Sequence, residues 1–368
     1  MNNLTILVSA CGSPSMPGII ECFRSNSERK IKIIGMDMSD EPSVKYLVDR
    51  FYKVPPVTDD NYCEIVLEIC QKEHVDIYFP LISAEVSVVS KKIDDFKKIN
   101  VIVSISDLAA VNISNDKLKT YKLLSSKKIP TPNFFEVNSL DDFVEGCKVL
   151  GYPNKAVCLK IVDGSGSRGV RIIDSSKSRY DIFINEKPNS FFTSYDDMLN
   201  ILRESTNFHK MLLVEYMPGT EYTVDALASN GKVLFMVGRE NVVSLMSIAQ
   251  ESIVTYDEEA YKIAESVIEL LKYDGNIGFD FMRDESGRPM LMDINPRITA
   301  TVSVIAAAGV NLPYLRIKQL LNEQLPQELK INYGTRIKRR YGEIYTNKDG
   351  NRIDISGKVV DCKWYYFS

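Results

Sequence analysis

The chain has 368 residues, too many for one compact core and enough for two or three units that each bury their own. Its 45 Lys and Arg against 49 Asp and Glu give a net charge of −4, which is not the basic balance of a nucleic-acid binder. No apolar run reaches bilayer length and the first residues lack a signal-peptide pattern, so a cytoplasmic protein with neither membrane nor nucleic-acid partners is expected.

From Leu4 to about Val111, short apolar runs alternate with amphipathic stretches. Strands are expected at Leu4 to Val8, Ile31 to Met36, Ile77 to Leu81 and Val101 to Ile105, with helices from about Gly18 and about Asn61. Such alternation predicts a parallel sheet with helices on its faces over 1–112. The first strand-to-helix turn, Ser9 to Gly18, is rich in turn formers but lacks the G-x-G-x-x-G spacing, so ligand contact and simple turn-making both stay open for it.

A helix is predicted over Asn115 to Ser126, stopped by Ile129-Pro130-Thr131-Pro132, with the first seam near Ile113. From about Phe134 to Asn322 short strands mix with helices, and the polar stretch from about Ser175 to His209 reads as an irregular surface insertion. From Ile331 onward the pattern is strand-like and suggests a small terminal sheet covering the second domain. Seven cysteines without paired metal-ligand spacing read as reduced packing residues, and two histidines, His74 and His209, leave little room for a His-rich metal centre or a His-based triad.

Three motifs carry chemistry. Gly278-Phe279-Asp280-Phe281-Met282 and Met290 to Arg297 flank a turn and read as a hairpin. With a four-residue loop from Glu285 to Arg288, Arg283 faces Met290 and Asp280 falls directly opposite Asp293, while Asn295 shares their face and Phe279, Phe281, Met292 and Ile294 form the other. Two opposed carboxylates need a cation between them, and hard oxygen ligands suit Mg²⁺; a solvated hairpin face is the alternative.

The second motif runs from Lys160, at the end of an apolar strand, into Asp163-Gly164-Ser165-Gly166-Ser167-Arg168-Gly169. Glycines let backbone amides approach anionic oxygens and the lysine adds a point charge, although an ordinary hairpin loop has the same composition. In the third motif, Glu215-Tyr216-Met217-Pro218-Gly219-Thr220-Glu221, a Pro-Gly turn joins two strands with a glutamate on each side. Those groups suit an adenine edge and a ribose, or are surface glutamates.

Taken in this order, the three motifs resemble the ATP-grasp superfamily, in its carbamoyl-phosphate-synthase-like and carboxylate-amine ligase branch, over roughly Asn115 to Asn322. The resemblance implies α/β and α+β structure: a Rossmann-like, parallel-sheet pre-ATP-grasp domain at 1–112 followed by an ATP-grasp fold at 113–330. Within the latter it implies a small nucleotide lid at about 134–218 and a metal-binding part at about 219–330, with 331–368 a strand-rich extension.

It makes Lys117 and Lys160 phosphate-facing lysines and Gly164 to Gly169 a loop closing over the phosphates. Glu215, Tyr216 and Met217 become the adenine hinge and Glu221 the ribose partner. Asp280, Asp293 and Asn295 become metal ligands, and Arg297 the cation beside the transferred phosphoryl group. ATP and two Mg²⁺ ions, or Mn²⁺ in their place, are the implied cofactors.

Two departures from the family pattern stand out. Position 293 is often glutamate there, and Gly278 occupies a position where dipeptide-forming relatives carry an oxyanion-binding arginine. Arg297, Arg239 and Arg171 are candidates to replace that arginine, Arg239 being as readily a solvated side chain. Ser13, Asp37 and Glu85 are candidate walls of a substrate crevice at the carboxyl ends of the first sheet.

The implied activity is ATP-dependent ligation of a small-molecule carboxylate to an amine, with ADP and phosphate released, by a chain that is a candidate homodimer. The alternatives are a carbamoyl-phosphate-forming or kinase-like enzyme, and a nucleotide-binding module without catalysis.

Overall fold

In strand β1 (Leu4–Val8) all residues but Thr5 are buried, and in β2 (Ile31–Asp37) burial is unbroken from Ile33 to Met36, as strands covered on both faces require. With β3 (Arg50–Lys53), β4 (Ile77–Phe79) and β5 (Ile102–Val103) they form a parallel sheet in the order β3-β2-β1-β4-β5. The computed structural model that shows this describes residues 3–164, 168–245, 248–340 and 342–360. The short edge strand β3, with Arg50 and Lys53 at its ends, gives no apolar signal in the sequence.

Helix α1 (Met16–Arg24) buries Met16, Ile19, Ile20 and Phe23, the stripe that a 3.6-residue period aligns on one face. The helices α2 (Tyr62–Glu73), α3 (Ser83–Ser90) and α4 (Ile93–Lys98) cover the opposite face, sharing a core with Leu7, Ile34 and Tyr78. The chain winds from β1 out to β3 and returns on the other side of β1, so the reversal lies between β1 and β4, where a crevice opens at the carboxyl ends of the strands.

The single helix expected over 115–126 is two: α5 (Leu108–Ser114) and α6 (Lys117–Ser126). Asp116 accepts from the Lys119 amide and restarts the helix, as a capping aspartate does.

A second sheet follows, built from β6 (Phe134–Val137), β7 (Val157–Ile161), β8 (Arg171–Ile173), β9 (Phe192–Thr193) and β10 (Met211–Glu215) in the order β6-β10-β7-β8-β9. Helix α7 (Leu140–Val149) packs on it. The stretch expected to be irregular contains β9 and two capped helices, α8 (Arg179–Asn185) and α9 (Tyr195–Arg203). Ser178 and Ser194 each accept from the amide three residues on, at Asp181 and Asp197, the N-terminal signature that polarity alone hides.

The third sheet is antiparallel, in the order β15-β14-β11-β12-β13-β16. Its strands are β11 (Glu221–Ser229), β12 (Lys232–Leu245), β13 (Ile248–Thr255), β14 (Gly275–Arg283), β15 (Pro289–Asn295) and β16 (Arg336–Lys338). Helix α10 (Glu258–Leu271), capped by Asp257, buries Ala260, Ile263, Ala264, Val267 and Ile268 in a core with Phe279, Phe281, Leu291 and Ile294. The C-terminal segment extends this sheet through β16 rather than lying over it, and a separate small hairpin follows, β17 (Tyr345–Thr346) with β18 (Arg352–Ile353).

Val302 and Ile305, together with Leu312, Leu315 and Ile317 of the following helix, share one core with Ile6, Val8, Ile20 and Phe23. That shared core fixes the carboxyl ends of β1 and β4 against the end of β15. The six described cysteines are buried and unpaired, Cys362 lies outside the described residues, and among those residues no helix is long and apolar enough to cross a membrane.

Candidate functional site

A cleft of about 1150 Å³ lies where the three sheets meet. The first sheet contributes Ser13 and Asp37, the second Lys160 and Ile161, and the third Glu221, Asp280, Asp293, Asn295 and Arg297; Lys117 enters from the start of α6.

Asp280 and Asp293 are direct partners across β14 and β15. The route to that register differs from the sequence reading. Arg283 pairs with Pro289, not Met290, so the loop has five residues, Asp284 to Arg288; a β-bulge between the Asp280 and Phe281 pairs then restores the alignment. The bulge re-aims Met292, which lines the cleft and is absent from the core formed by Phe279, Phe281 and Ile294. The Asp284 carboxylate organises the turn, accepting from the Ser286 hydroxyl and from the Ser286 and Arg288 amides.

Burial, reinforced by the negative charges of Glu221 and Asp293, pushes the Asp280 carboxyl up to about 7. Its Oδ1 accepts from the Thr223 hydroxyl at 2.8 Å and its Oδ2 from the Asn295 amide at 2.8 Å. Lys117 Nζ lies 3.2 Å from Asp293 Oδ2 and donates to the Gly164 carbonyl at 3.2 Å, so one ammonium joins the acidic pair to the start of the glycine loop. Arg168 and Gly169 stand at the far end of that loop, Gly169 with φ of +70°; Ser165, Gly166 and Ser167 lie outside the described residues. Arg297, its guanidinium acidified by burial, donates to Asn295 Oδ1 at 3.1 Å, to the Ile298 carbonyl at 2.9 Å and to Ser83 Oγ at 3.4 Å.

Two carboxylates and an amide are hard oxygen donors, and the crowded negative charges of Glu221, Asp280 and Asp293 gain from a divalent cation. Among the described residues no three His, Cys, Asp or Glu side chains cluster as a metal site. Asn295 gives its oxygen to Arg297 here, so ligation through that oxygen requires the amide to turn.

Other sequence candidates fall elsewhere. Glu85 is not a cleft wall: it is fully buried and accepts from Ser9, Tyr62 and Tyr78 and from the Leu81 amide. Glu215, Tyr216 and Met217 do not line the cleft, and the Glu215 carboxylate is held by Lys155 at 3.2 Å and Asn133 at 2.9 Å. Glu221 does line it, fixed by Asn241 and Ser244 at 2.9 Å each. Arg171 is exposed and donates to the Val170 carbonyl. Arg239 is not solvated; it is 4% exposed and paired with Asp225.

Thr223, Asp225 and Asn241 are site residues that the sequence reading passed over. The signal was available: Glu221, Thr223 and Asp225 alternate with Tyr222 and Val224, which puts three polar groups on one face of an otherwise apolar strand.

A family model described as the PylC-like N-terminal domain matches residues 6–104, and one described as ATP-grasp in the biosynthetic pathway with Ter operon matches 207–342. The chain carries an ATP-grasp domain and a PylC-like N-terminal domain. The carbamoyl phosphate synthase large chain of Clostridium acetobutylicum is 21% identical to this protein over 288 residues, which are 76% of this chain and 25% of that one. The chain thus spans about a quarter of the length of that relative.

Among solved structures, N5-carboxyaminoimidazole synthetase from Staphylococcus aureus complexed with ADP superposes with a TM-score of 0.64 at 14% identity, over 89% of this chain and 80% of that one. The L-amino acid ligase from Bacillus licheniformis gives 0.59 at 19% identity, over 87% and 74%. At these identities the likeness is one of fold alone.

Proposed function

We propose that this protein is an ATP-dependent ligase that activates a carboxylate as an acyl phosphate and couples it to an amine, releasing ADP and phosphate. The observation that carries the reading is the convergence of Lys117 from α6, Lys160 from the second sheet, and Asp280, Asp293 and Arg297 from the third, on one cleft.

A carboxylate resists attack because the nucleophile must add charge to an anion; transfer of a phosphoryl group to its oxygen removes that obstacle. The transfer asks a protein chiefly for alignment and charge neutralisation. Lys117 and Lys160 face the phosphate oxygens, and Arg297 faces the phosphoryl group in transit. Gly164 and Arg168, which line the cleft beside Lys160, border the phosphates and help keep water from the acyl phosphate. Glu221, which lines the cleft and is held by Asn241 and Ser244, accepts from the ribose.

Asp280, Asp293 and Asn295 would hold Mg²⁺ or Mn²⁺, which neutralises the terminal phosphates when bound. The amine nitrogen then attacks the activated carbonyl carbon and loses its proton as the carbon–oxygen bond to phosphate breaks. Small acids and amines are the partners this requires.

The test is release of ADP and phosphate by the full chain over a matrix of paired acids and amines. Turnover that needs both partners is expected. ADP release with acid alone would instead fit a kinase-like or carbamoyl-phosphate-forming enzyme, binding of ATP with no turnover across the matrix would fit a non-catalytic module, and AMP with pyrophosphate would overturn the acyl-phosphate route.

A further inference from the structure

Four side chains from four adjacent strands stand in one row across the third sheet. Arg239 on β12 pairs with Thr223 on β11, Thr223 with Asp280 on β14, and Asp280 with Asp293 on β15. Directly paired residues point to the same face, so a guanidinium begins the row that the two aspartates end. Strands lie about 4.8 Å apart, which sets the Arg239 and Asp280 backbones roughly 10 Å from each other, within the span of one acyl phosphate and two side chains.

Arg239 is held firmly. Its Nε donates to Asp225 Oδ2 at 3.0 Å and its Nη1 to Asn241, while Asp225 is fixed in turn by the Thr299 hydroxyl. Nη2 has no hydrogen-bond partner among the described residues and is not sealed inside the protein, so it is the open edge of a side chain that lines the cleft. With Nε on Asp225 and Nη1 on Asn241, Nη2 is the guanidinium nitrogen left to donate a charge-assisted hydrogen bond to a second carboxylate. Across β11, Gly278 pairs with Asp225, and Thr299 occupies the space a side chain there would need, its Cγ2 2.1 Å from an added Cβ. No cation can therefore enter this part of the cleft from position 278.

We propose that Arg239, oriented by Asp225, receives the carboxylate of the acid substrate and holds it beside the phosphoryl group bound over Asp280 and Asp293. The assignment rests on the ligase reading and adds to it the residue that selects the acid. It also makes the acid a carboxylate presented along the sheet toward β12.

The experiment measures binding of acetate, bicarbonate and L-alanine to the full chain saturated with ADP and Mg²⁺, by titration calorimetry, in wild type, Arg239→Gln, Arg239→Lys and the double variant Arg239→Gln, Asp225→Asn. The double variant removes both charges of the buried pair, so a loss of binding there does not come from a stranded carboxylate. At least one probe should bind wild type, and its affinity should fall tenfold or more in Arg239→Gln and in the double variant, and partly recover in Arg239→Lys, with ADP affinity unchanged within twofold. Absence of binding by all three probes, or binding that the Arg239 variants leave intact, overturns the assignment. Failure of wild type to bind ADP with Mg²⁺ overturns the ligase reading itself, and ADP affinity falling in step with probe affinity assigns Arg239 a merely structural role.

Discussion

Asp280 faces Asp293 across β14 and β15 because a five-residue turn and a bulge cancel each other's shift in register. Side chains alternate with a period of two, so without the bulge one aspartate of the pair would face the core beside Phe279 and Phe281. The acidic pair thus depends on a local irregularity, a common place for a bulge to serve a site.

The first prediction concerns pH. The Asp280 carboxyl is raised from 3.8 to about 7 by burial and by its acidic neighbours, and a divalent cation needs it ionised. Binding of Mg²⁺ or Mn²⁺ in the presence of ADP should be about tenfold weaker at pH 6 than at pH 8, since a group titrating near 7 is largely protonated at the lower value. The sign for stability is opposite. Between 3.8 and about 7 the folded chain keeps a proton that the unfolded chain has released, so metal-free stability falls as pH rises through that window. Thermal melts without metal should show this decline in wild type and lack it in Asp280→Asn.

The second prediction separates ligation from packing. Asp293 is half-buried, and its side chain meets Lys117 and the Ile294 amide rather than the core. Asp293→Ala should reduce ADP release by at least about 100-fold, the scale on which loss of a charge-stabilising group acts in a catalytic site, while leaving the melting temperature within a few degrees. Retained turnover would remove this residue from the site.

Much of the architecture is legible in the sequence because it depends on periodicity. The alternation of Leu4 to Val8, α1 and Ile31 to Met36 is strong, and those elements lie where the pattern puts them. What was hidden depends on single side chains and on tertiary partners. Asp116 divides one helical pattern into two helices, Ser178 and Ser194 start helices inside a polar stretch, and β3 is held by its edge position rather than by apolar residues. At the site, the opposed aspartates follow from hairpin counting, although two unforeseen irregularities had to compensate. The surroundings of Arg239 and Glu85 did not follow at all, since their partners come from other strands and from residues distant in sequence.

The third prediction concerns Gly278. An added Cβ would sit 2.1 Å from Thr299 Cγ2, with Thr299 itself bonded to Asp225 and unable to swing away freely. Gly278→Ala should cost about 1–3 kcal/mol, the usual range for overpacking. Thr299→Ser deletes the offending methyl and keeps the hydroxyl that holds Asp225, so the double variant should regain most of the loss. Denaturant titration of the four chains forms a cycle, and additive losses would contradict the contact.

The fourth prediction turns on Glu85, which joins the first sheet to the site without touching the cleft. Its carboxyl, driven upward by burial, accepts from Ser9, Tyr62 and Tyr78 and from the Leu81 and Ile82 amides, gathering the ends of β1, α2 and β4 around one side chain. The Leu81 to Ser83 segment so held carries the hydroxyl at Ser83 that meets Arg297. Glu85→Leu would strand two tyrosine hydroxyls and at least one amide in a dry core, at a cost of about 1–3 kcal/mol for each donor left without an acceptor. Glu85→Gln keeps an acceptor oxygen while adding a donor the pocket does not need, so its loss should be smaller. If the segment also steadies Arg297, Glu85→Gln should lower kcat for ADP release more than it raises the KM for ATP. Stability lost in Glu85→Leu with kcat unchanged in Glu85→Gln would confine Glu85 to holding the first sheet together.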